Sequence, residues 1–472
     1  MVNVRIQAKN HVLQCNIVTG EPMKTGAIYC GDCQHILGNT NEFPDECVDL
    51  IYVDPPFFSE KKYEVLWGDG YELRAFEDRW KGGIENYVAW MEPKVRECHR
   101  VLKKTGSMYL HCDWHANHRL RVLMDNIFGE SNFKNEIIWK RTSAHNDPKK
   151  FGVVHDAILF YTKSKNYTWN PQYSAYSDSY IDSEFEKAPD GRLYKCEDLT
   201  APRRGGESRA FEWRGTKPSA SREWRFGLEE LERLFFEGQI KIGLNGKPRL
   251  RGHIVYLEDK RGTPLQSIWT DILHVGNTSN ERLGYPTQKP EALLRRIIEA
   301  SSNVTDVVLD PMCGCGTALA VAQKMDRRWV GIDVSPTACK LILNRMRRIG
   351  AQNMEIIGMP QTLEEVKGLQ PFEFQNWVMQ KMMGRMSPRK TGDMGIDGYL
   401  FDGTPIQVKQ SEDVGRNVID NFETAIKRGK KTKGIIVAFS FGKGAYEEVA
   451  RAKNQDGVEI ELKLVEEVIK EN

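Results

Sequence analysis

The stretch VDLIYVDPPFFS, residues 48–59, ends a β-favouring apolar run in Asp54, Pro55, Pro56 and Phe57. The carboxylate of Asp54 is a hydrogen-bond acceptor. The two prolines fix the backbone at φ near −65° and remove two N–H donors. The Phe57 ring offers a flat face for stacking. Together they suit a small positioning site at a strand end. The same residues also suit a strand that proline simply stops.

A second group lies late in the chain, in VVLDPMCGCGTALAVAQKMDRRWVGIDVS. A strand ends at Asp310, a turn carries Gly314 and Gly316, a helix begins near Thr317, and a second strand ends at Asp333. Glycines let a backbone approach a ligand closely. An acid roughly 20 positions past such a turn can take ribose hydroxyls. The spacing is neither G-x-G-x-x-G nor a P-loop. A nucleoside without phosphates is therefore a better candidate than a dinucleotide or a triphosphate, and S-adenosylmethionine is the obvious one. A tight strand-to-helix turn with no ligand is the plainer alternative.

A third group is near the C-terminus. Helical Glu373 is followed by a Gly-rich segment, Asp397, a hairpin turn at Asp402-Gly403 and the strand PIQVKQS. Alternation along that strand puts Gln407 and Lys409 on one face. Asp397 and Gln407 supply oxygen ligands suited to a divalent cation such as Mg²⁺. Lys409 can stabilise developing negative charge beside an activated water. A non-catalytic DNA-binding or ordinary α/β module is the alternative.

These groups need elements to hold them. GAIYCGD, VDLIYVD, GSMYLHCD and HDAILFYTKS read as strands. IENYVAWMEPKVRECHRVL and HANHRLRVLMDNIFG read as helices, the first with Tyr87, Trp90, Met91 and Val95 near helical spacing. The alternation predicts an α/β fold with a mostly parallel sheet covered by helices. The rhythm returns over 283–355. Between them, 166–282 mixes Arg203, Arg204, Arg209, Arg214, Lys217, Arg222 and Arg225 with Phe211, Trp213, Trp224 and Phe226. Basic charge with aromatics suits phosphate contacts and base stacking. The expected organisation is 1–165, an insertion at 166–282, 283–355, a linker at 356–370, and a final small α/β unit at 371–472.

The chain has 472 residues, 40% apolar and 28% charged, which suits a soluble chain of several domains. A net charge of +2 leaves any polyanion contact to local patches. The ten cysteines include the pairs Cys30/Cys33 and Cys313/Cys315, without a second CxxC at zinc-ribbon spacing. Reduced thiols in a cytoplasmic protein are expected. The N-terminal residues do not read as a signal peptide, and no stretch approaches the ~20 apolar residues of a membrane span. No membrane partner is expected, and homo-oligomerisation stays open.

In combination the motifs are specific. DPPF, TQKPEALLRRII and DPMCGCGTALAVA…GIDVS, in that order over about 27–350, resemble the amino-methyltransferases of DNA in their circularly permuted β class. The resemblance implies a Rossmann-like fold that binds S-adenosyl-L-methionine, with 1–165 as catalytic half, 166–282 as target-recognition region and 283–355 as cofactor-binding half. It implies that Asp54, Pro55, Pro56 and Phe57 are catalytic. Asp54 and the Pro55 carbonyl would accept the two amine protons of a base flipped out of double-stranded DNA, and Phe57 would stack on that base. Asp32, Thr287, Gln288, Lys289, Asp310, Gly314, Gly316, Thr317 and Asp333 match cofactor-binding positions. The family commonly has Phe where Met312 stands and Ser where Cys315 stands. Asp at the first tetrapeptide position leans toward N6-adenine rather than N4-cytosine. Residues 371–472 resemble the Mrr-like branch of the PD-(D/E)XK nucleases. This implies Asp397, Gln407 and Lys409 as catalytic residues and Asp397, Gln407 and Glu373 as Mg²⁺ ligands. The joint expectation is a single-chain restriction–modification enzyme.

Overall fold

The computed structural model describes residues 23–57, 62–66, 72–77, 83–143, 149–203, 209–276, 279–283, 285, 288–387, 395–400 and 402–470. They form two compact units, one running to Asn170 and resuming at Ser267, the other comprising Pro171–Gln266.

The first unit is built on a nine-stranded sheet. From one edge the order is Ile268–Trp269, Phe133–Lys140, His155–Thr162, Leu102–Cys112, Val48–Val53, Val307–Asp310, Arg328–Asp333, Ala27–Cys30 and Glu355–Ile357. His155–Thr162 runs antiparallel to both its neighbours, and the other pairings are parallel. The central strands are apolar on both faces, as a sheet covered on both sides requires. Ile51 and Val53 face a core with Tyr87, Met91 and Val95 of the helix Gly83–Val101. Leu50 and Tyr52 face a core with Leu293, Ile297 and Ile298 of Glu291–Ser301 and Ile342 and Met346 of Pro336–Arg348.

Val48–Val53 lies beside Val307–Asp310, with Leu50 opposite Val308 and Ile51 opposite Leu309. The DPPF segment and the Gly-rich turn thus leave the same carboxyl end of adjacent parallel strands. In open α/β sheets this is where ligands bind.

Residues 366–470 carry their own five-stranded sheet, ordered Arg385–Met386, Gly398–Tyr399, Pro405–Lys409, Lys433–Ala438 and Glu459–Leu464. Ile406 and Val408 pack with Phe374, Trp377 and Val378 of the helix Pro371–Lys381 on one face. The helices Arg416–Arg428 and Lys443–Asp456 cover the other. The expected hairpin forms, with Gly403 at φ +82.

Three expectations need correction. The separately folded insertion is narrower than 166–282, because Ile268–Trp269 already pairs with Phe133–Lys140 in the large sheet. The stretch 356–370 is more than a linker. It finishes the edge strand Glu355–Ile357 and forms the helix Leu363–Lys367, started by a Thr362/Glu365 capping box and anchored by buried Val366. Third, the aromatics of the insertion are largely its own core. Trp213 and Trp224 are buried with Leu199, Leu231 and Leu234, and Phe211 and Phe226 pack against them. The Trp224 indole N–H donates to the Phe211 carbonyl, and that of Trp213 to Glu232. Arg214 pairs with Glu232, Arg222 with Asp198 and Arg225 with Glu197. Arg204 lies outside the described residues, and Lys217 is exposed. A small β-rich unit must bury its large rings to fold at all, so Trp213 and Trp224 are not stacking plates.

Among the described residues, no helix is long and apolar enough to cross a membrane.

Candidate active site

A cleft of about 830 Å³ opens at the carboxyl ends of the central strands. This is within the roughly 300–1,000 Å³ usual for small-molecule sites. Asp54, Pro55, Pro56 and Phe57 line it together with Lys289, Asp310, Gly314, Thr317 and Asp333. Two segments far apart in sequence therefore share one cavity.

At the DPPF side of the cleft Asp54 Oδ2 accepts from Lys289 Nζ at 2.5 Å, across 235 positions of chain. Asp54 Oδ1 is buried and has no hydrogen-bond partner. A buried unpaired carboxylate oxygen is costly unless something donates to it. The Lys289 ammonium also lies 4.8 Å from the centre of the Phe57 ring. The Tyr87 hydroxyl donates to the Pro56 carbonyl at 2.7 Å and so ties the proline segment to the helix Gly83–Val101.

Behind Phe57 stands a polar group that the sequence did not point out. His111 is fully buried, its ring 5.5 Å from that of Phe57. Its Nδ1 is 2.8 Å from the Tyr52 hydroxyl and its Nε2 3.2 Å from Asp156 Oδ2. Burial works against the Asp156 carboxylate, yet His111, Lys289 and Arg141 hold it below the usual range. Tyr52 stands two positions before Asp54, and His111 lies on the neighbouring strand. The signal was in YLHCD, a polar pair at a strand end, but only the pairing gives it meaning.

The glycine turn is fastened by its acids. Asp333 Oδ2 accepts from the Gly314 N–H at 2.8 Å, and Oδ1 from the Ser335 N–H at 2.9 Å. Asp310 Oδ1 accepts from the Met312 N–H at 3.2 Å. Burial pushes the Asp333 carboxyl up to about 6. It drives Asp310 well above its ordinary range, with Asp54 and Asp333 adding to the rise. Gly314 and Gly316 take φ of +51 and +71, a region that L side chains rarely adopt. A Cβ on Gly316 would also come within 3.0 Å of Ile342. Arg345, 6% exposed, supports the turn from beneath. Its Nη1 donates to the Cys315 carbonyl at 2.9 Å and the Thr317 hydroxyl at 3.1 Å, and its Nη2 to Glu291 at 3.1 Å. Arg345 sits in a basic helix end, RMRRI, and there reads as solvated charge. Met312 and Cys315, the two departures from the family pattern, both line the cleft.

Asp32 also lines the cleft. It caps the helix Cys33–Leu37 by accepting from the Gln34 N–H, and it pairs with buried Lys94 at 2.9 Å. Gln288 lines the cleft as well, but its amide closes its own loop. Its Oε1 accepts from the Leu283 N–H and its Nε2 donates to the Glu281 carbonyl. Thr287 lies outside the described residues.

In the C-terminal domain, Asp397 precedes the strand paired with Pro405–Lys409. Its Oδ2 accepts from the Val408 N–H at 2.7 Å. Burial raises its carboxyl, while Val408, Lys409 and Gln375 oppose the rise. Gln407 is 3% exposed, and its Oε1 has no partner. An orphaned buried oxygen and a buried carboxylate next to a lysine fit a divalent-cation site. Glu373, expected with them, has other neighbours: Ser335, Thr337 and Asp333, on the cleft of the first sheet. The reason is the helix stripe. Phe374, Trp377 and Val378 turn to the domain's own core. Glu373 and Gln380, seven positions apart, fall on another face, where Gln380 Nε2 donates to Thr337 at 3.1 Å.

Residues 48–344 match the DNA methylase family. The chain is a member of that family. Residues 366–469 of this DNA methylase match a restriction endonuclease family. The type II methyltransferase M.EcaI of Enterobacter cloacae is 30% identical over 299 residues, 63% of this chain and 64% of its own length. The DNA adenine methyltransferase YhdJ of Escherichia coli (strain K12) is 28% identical over 312 residues, 66% of this chain and 80% of its own. The type III restriction-modification enzyme StyLTI Mod subunit of Salmonella typhimurium (strain LT2) is 24% identical over 443 residues, 87% of this chain and 64% of its own. The chain thus spans less than two thirds of the first and third of these relatives.

Proposed function

We propose that this DNA methylase transfers a methyl group from S-adenosylmethionine to the N6 amine of adenine in double-stranded DNA, the base being flipped into the cleft. The observation that carries the reading is the buried, unpartnered Asp54 Oδ1 beside Phe57 at the cleft. The lone pair of an exocyclic amine is delocalised into the ring, so the nitrogen is a weak nucleophile. Asp54 Oδ1 accepts one N–H and the Pro55 carbonyl the other, which favours a pyramidal nitrogen with its lone pair free. The cofactor supplies a methyl on a positive sulfur. Phe57 stacks on the base, a contact worth ~1–3 kcal/mol, and His111 and Tyr52 set the position of its ring. Asp333 accepts from a ribose hydroxyl, and Lys289 attracts the carboxylate of the methionine end. Positioning and fixed charge supply the acceleration, without a strong general base. Adenine rather than cytosine is supported by Asp54 and by the named adenine methyltransferase among the relatives. The permuted order of the motifs and a target-recognition role for Pro171–Gln266 belong to the same proposal. Incubation with tritiated cofactor, DNA and RNA side by side, tests it. Label in N6-methyladenine of DNA is expected, and label only in RNA, or none, contradicts it.

Cofactor affinity should depend on pH. The ligand favours ionised Asp333, so it lowers that group's pKa and releases a proton on binding. Affinity then rises from about pH 5 through the free enzyme's Asp333 value of about 6, and it levels off only above about 7, where Glu373 on the same cleft is also ionised. Calorimetric titration across that range checks this, and Asp333→Asn should remove the part of the rise that belongs to Asp333.

The C-terminal domain is proposed to cleave DNA that lacks the mark, near the recognised site. Asp397 and Gln407 would hold Mg²⁺, which supplies an activated water, and Lys409 would balance the developing charge. Asp397→Ala should lower cleavage by about 10³-fold or more in a plasmid-nicking assay, as loss of a metal-holding group does in metal-assisted hydrolysis, with DNA affinity unchanged. One observation favours a second reading, a non-cleaving domain: Glu373 lies on the cofactor cleft. Absence of any nicking by the parent protein with Mg²⁺ would establish that second reading.

A further inference from the structure

The cleft that the DNA methylase fold builds is closed in part by the other domain. Gln370, Pro371, Glu373, Phe374 and Gln375, from the start of the helix Pro371–Lys381, line it, with Val408 of the strand Pro405–Lys409 and Gln410 just after it. Most of these side chains are apolar or amide, and Glu373 is the acid among them. Its Oε2 is buried and has no hydrogen-bond partner. The carboxyl otherwise accepts hydrogen bonds from Ser335 and Thr337, with Asp333 nearby, where the strand Arg328–Asp333 ends and the helix Pro336–Arg348 begins. Two carboxyl groups, one from each domain, thus face the same part of the cleft.

We propose that Glu373 is a cofactor-binding residue that the restriction-endonuclease-family domain supplies to the methyl-transfer site, where it takes a hydrogen bond from a ribose hydroxyl. A ribose presents two neighbouring O–H donors. Asp333 already spends one lone pair of each oxygen on the Gly314 and Ser335 N–H groups. A second acceptor beside it lets both hydroxyls be satisfied without asking Asp333 to take them alone. The helix start is a suitable place for the acid, since its dipole favours negative charge there. Burial pushes the Glu373 carboxyl up to about 7, with Asp333 adding and Ser335 and Thr337 opposing. In the free protein this group is thus held at a cost that a donor in the cleft would relieve. The position on the helix is fixed from both sides. Phe374, Trp377 and Val378 lock the helix to its own sheet, and Gln380 binds Thr337 one stripe-length along.

The inference rests on the reading of the cleft as an S-adenosylmethionine site, and the test separates the two. Calorimetry on the full chain measures S-adenosylhomocysteine and its 2′-deoxy and 3′-deoxy analogues against the parent, Glu373→Ala and Glu373→Gln. Failure of the parent to bind S-adenosylhomocysteine would overturn the cofactor reading itself. With binding by the parent, Glu373→Ala should weaken it roughly 10-fold, as for a lost hydrogen bond to a charged acceptor. Glu373→Gln, which keeps a carbonyl acceptor, should fall between. One of the deoxy analogues should lose affinity with the parent but bind Glu373→Ala no worse than the full ligand does. Thermal unfolding of the free variants reports the separate loss of the Ser335 and Thr337 hydrogen bonds, so the deoxy analogues carry the distinction from a merely structural role. Equal affinity in parent and Glu373→Ala overturns the proposal. So does a weakened variant in which both deoxy analogues still suffer the parent's full loss.

Discussion

Asp54→Ala should lower methyl transfer by about 10²–10³-fold, the scale seen when one fixed group aimed at a reacting centre is removed, while cofactor affinity stays within about threefold of the parent's, since no bond to the cofactor is lost. The expectation follows from a division of work between the two oxygens. Oδ2 is occupied by Lys289, so the unpartnered Oδ1 is the one left to meet the amine. Alanine removes that acceptor and also the partner that Lys289 meets at 2.5 Å. Asp54→Asn keeps one carbonyl oxygen and the side-chain volume but loses the charge. It should retain more transfer than alanine does. Single-turnover transfer, with calorimetry for the cofactor, separates the two effects. Transfer that falls only because the cofactor no longer binds would place Asp54 in the cofactor site instead.

Arg345→Ala should destabilise the large sheet domain by about 1–3 kcal/mol, the range for leaving a buried acceptor unsatisfied. Arg345 has four bonds to replace, one of them a weak contact to the Cys315 sulfur, and their loss leaves the buried Cys315 carbonyl without this donor. Glu291 keeps Lys324 at 2.6 Å, which limits the damage on that side. The Cys315 carbonyl and Thr317 belong to the glycine turn, so cofactor affinity should fall as well. Arg345→Lys should rescue little, because an ammonium cannot make a forked set of bonds. Chemical denaturation followed by the near-ultraviolet signal of buried Trp329, which packs in the same core, reports the loss. A stable Arg345→Ala protein with normal affinity would show that the turn holds itself.

The strands that position the site were readable because their information is local. VDLIYV and VVLD are short apolar runs ending in acid, and a Gly-x-Gly turn between strand and helix admits few conformations. What was not readable depends on contacts between distant residues. The strand Phe133–Lys140 is hard to see because FKNEIIWK mixes polar and apolar residues, half of it lying near an edge. Arg345 looks like one more cation in a basic helix end until the turn beneath which it packs is known. Glu373 shows the same limit. Its helix has a clear apolar stripe, but sequence does not say which neighbour the polar stripe meets. Trp213 and Trp224 show the reverse error. Basic and aromatic interleaving describes a nucleic-acid surface and equally the core of a small domain rimmed by ion pairs. Only burial separates the two.

On the proposed reading, Asp54, which lines the cleft, holds an adenine amine of DNA for methylation. Sequencing of modified bases in DNA from cells that express either the parent or Asp54→Ala tests it most directly. N6-methyladenine is expected at one recurring sequence with the parent and is expected to be absent with Asp54→Ala. A recurring mark on cytosine, no mark with the parent, or an undiminished adenine mark in the Asp54→Ala cells would contradict it.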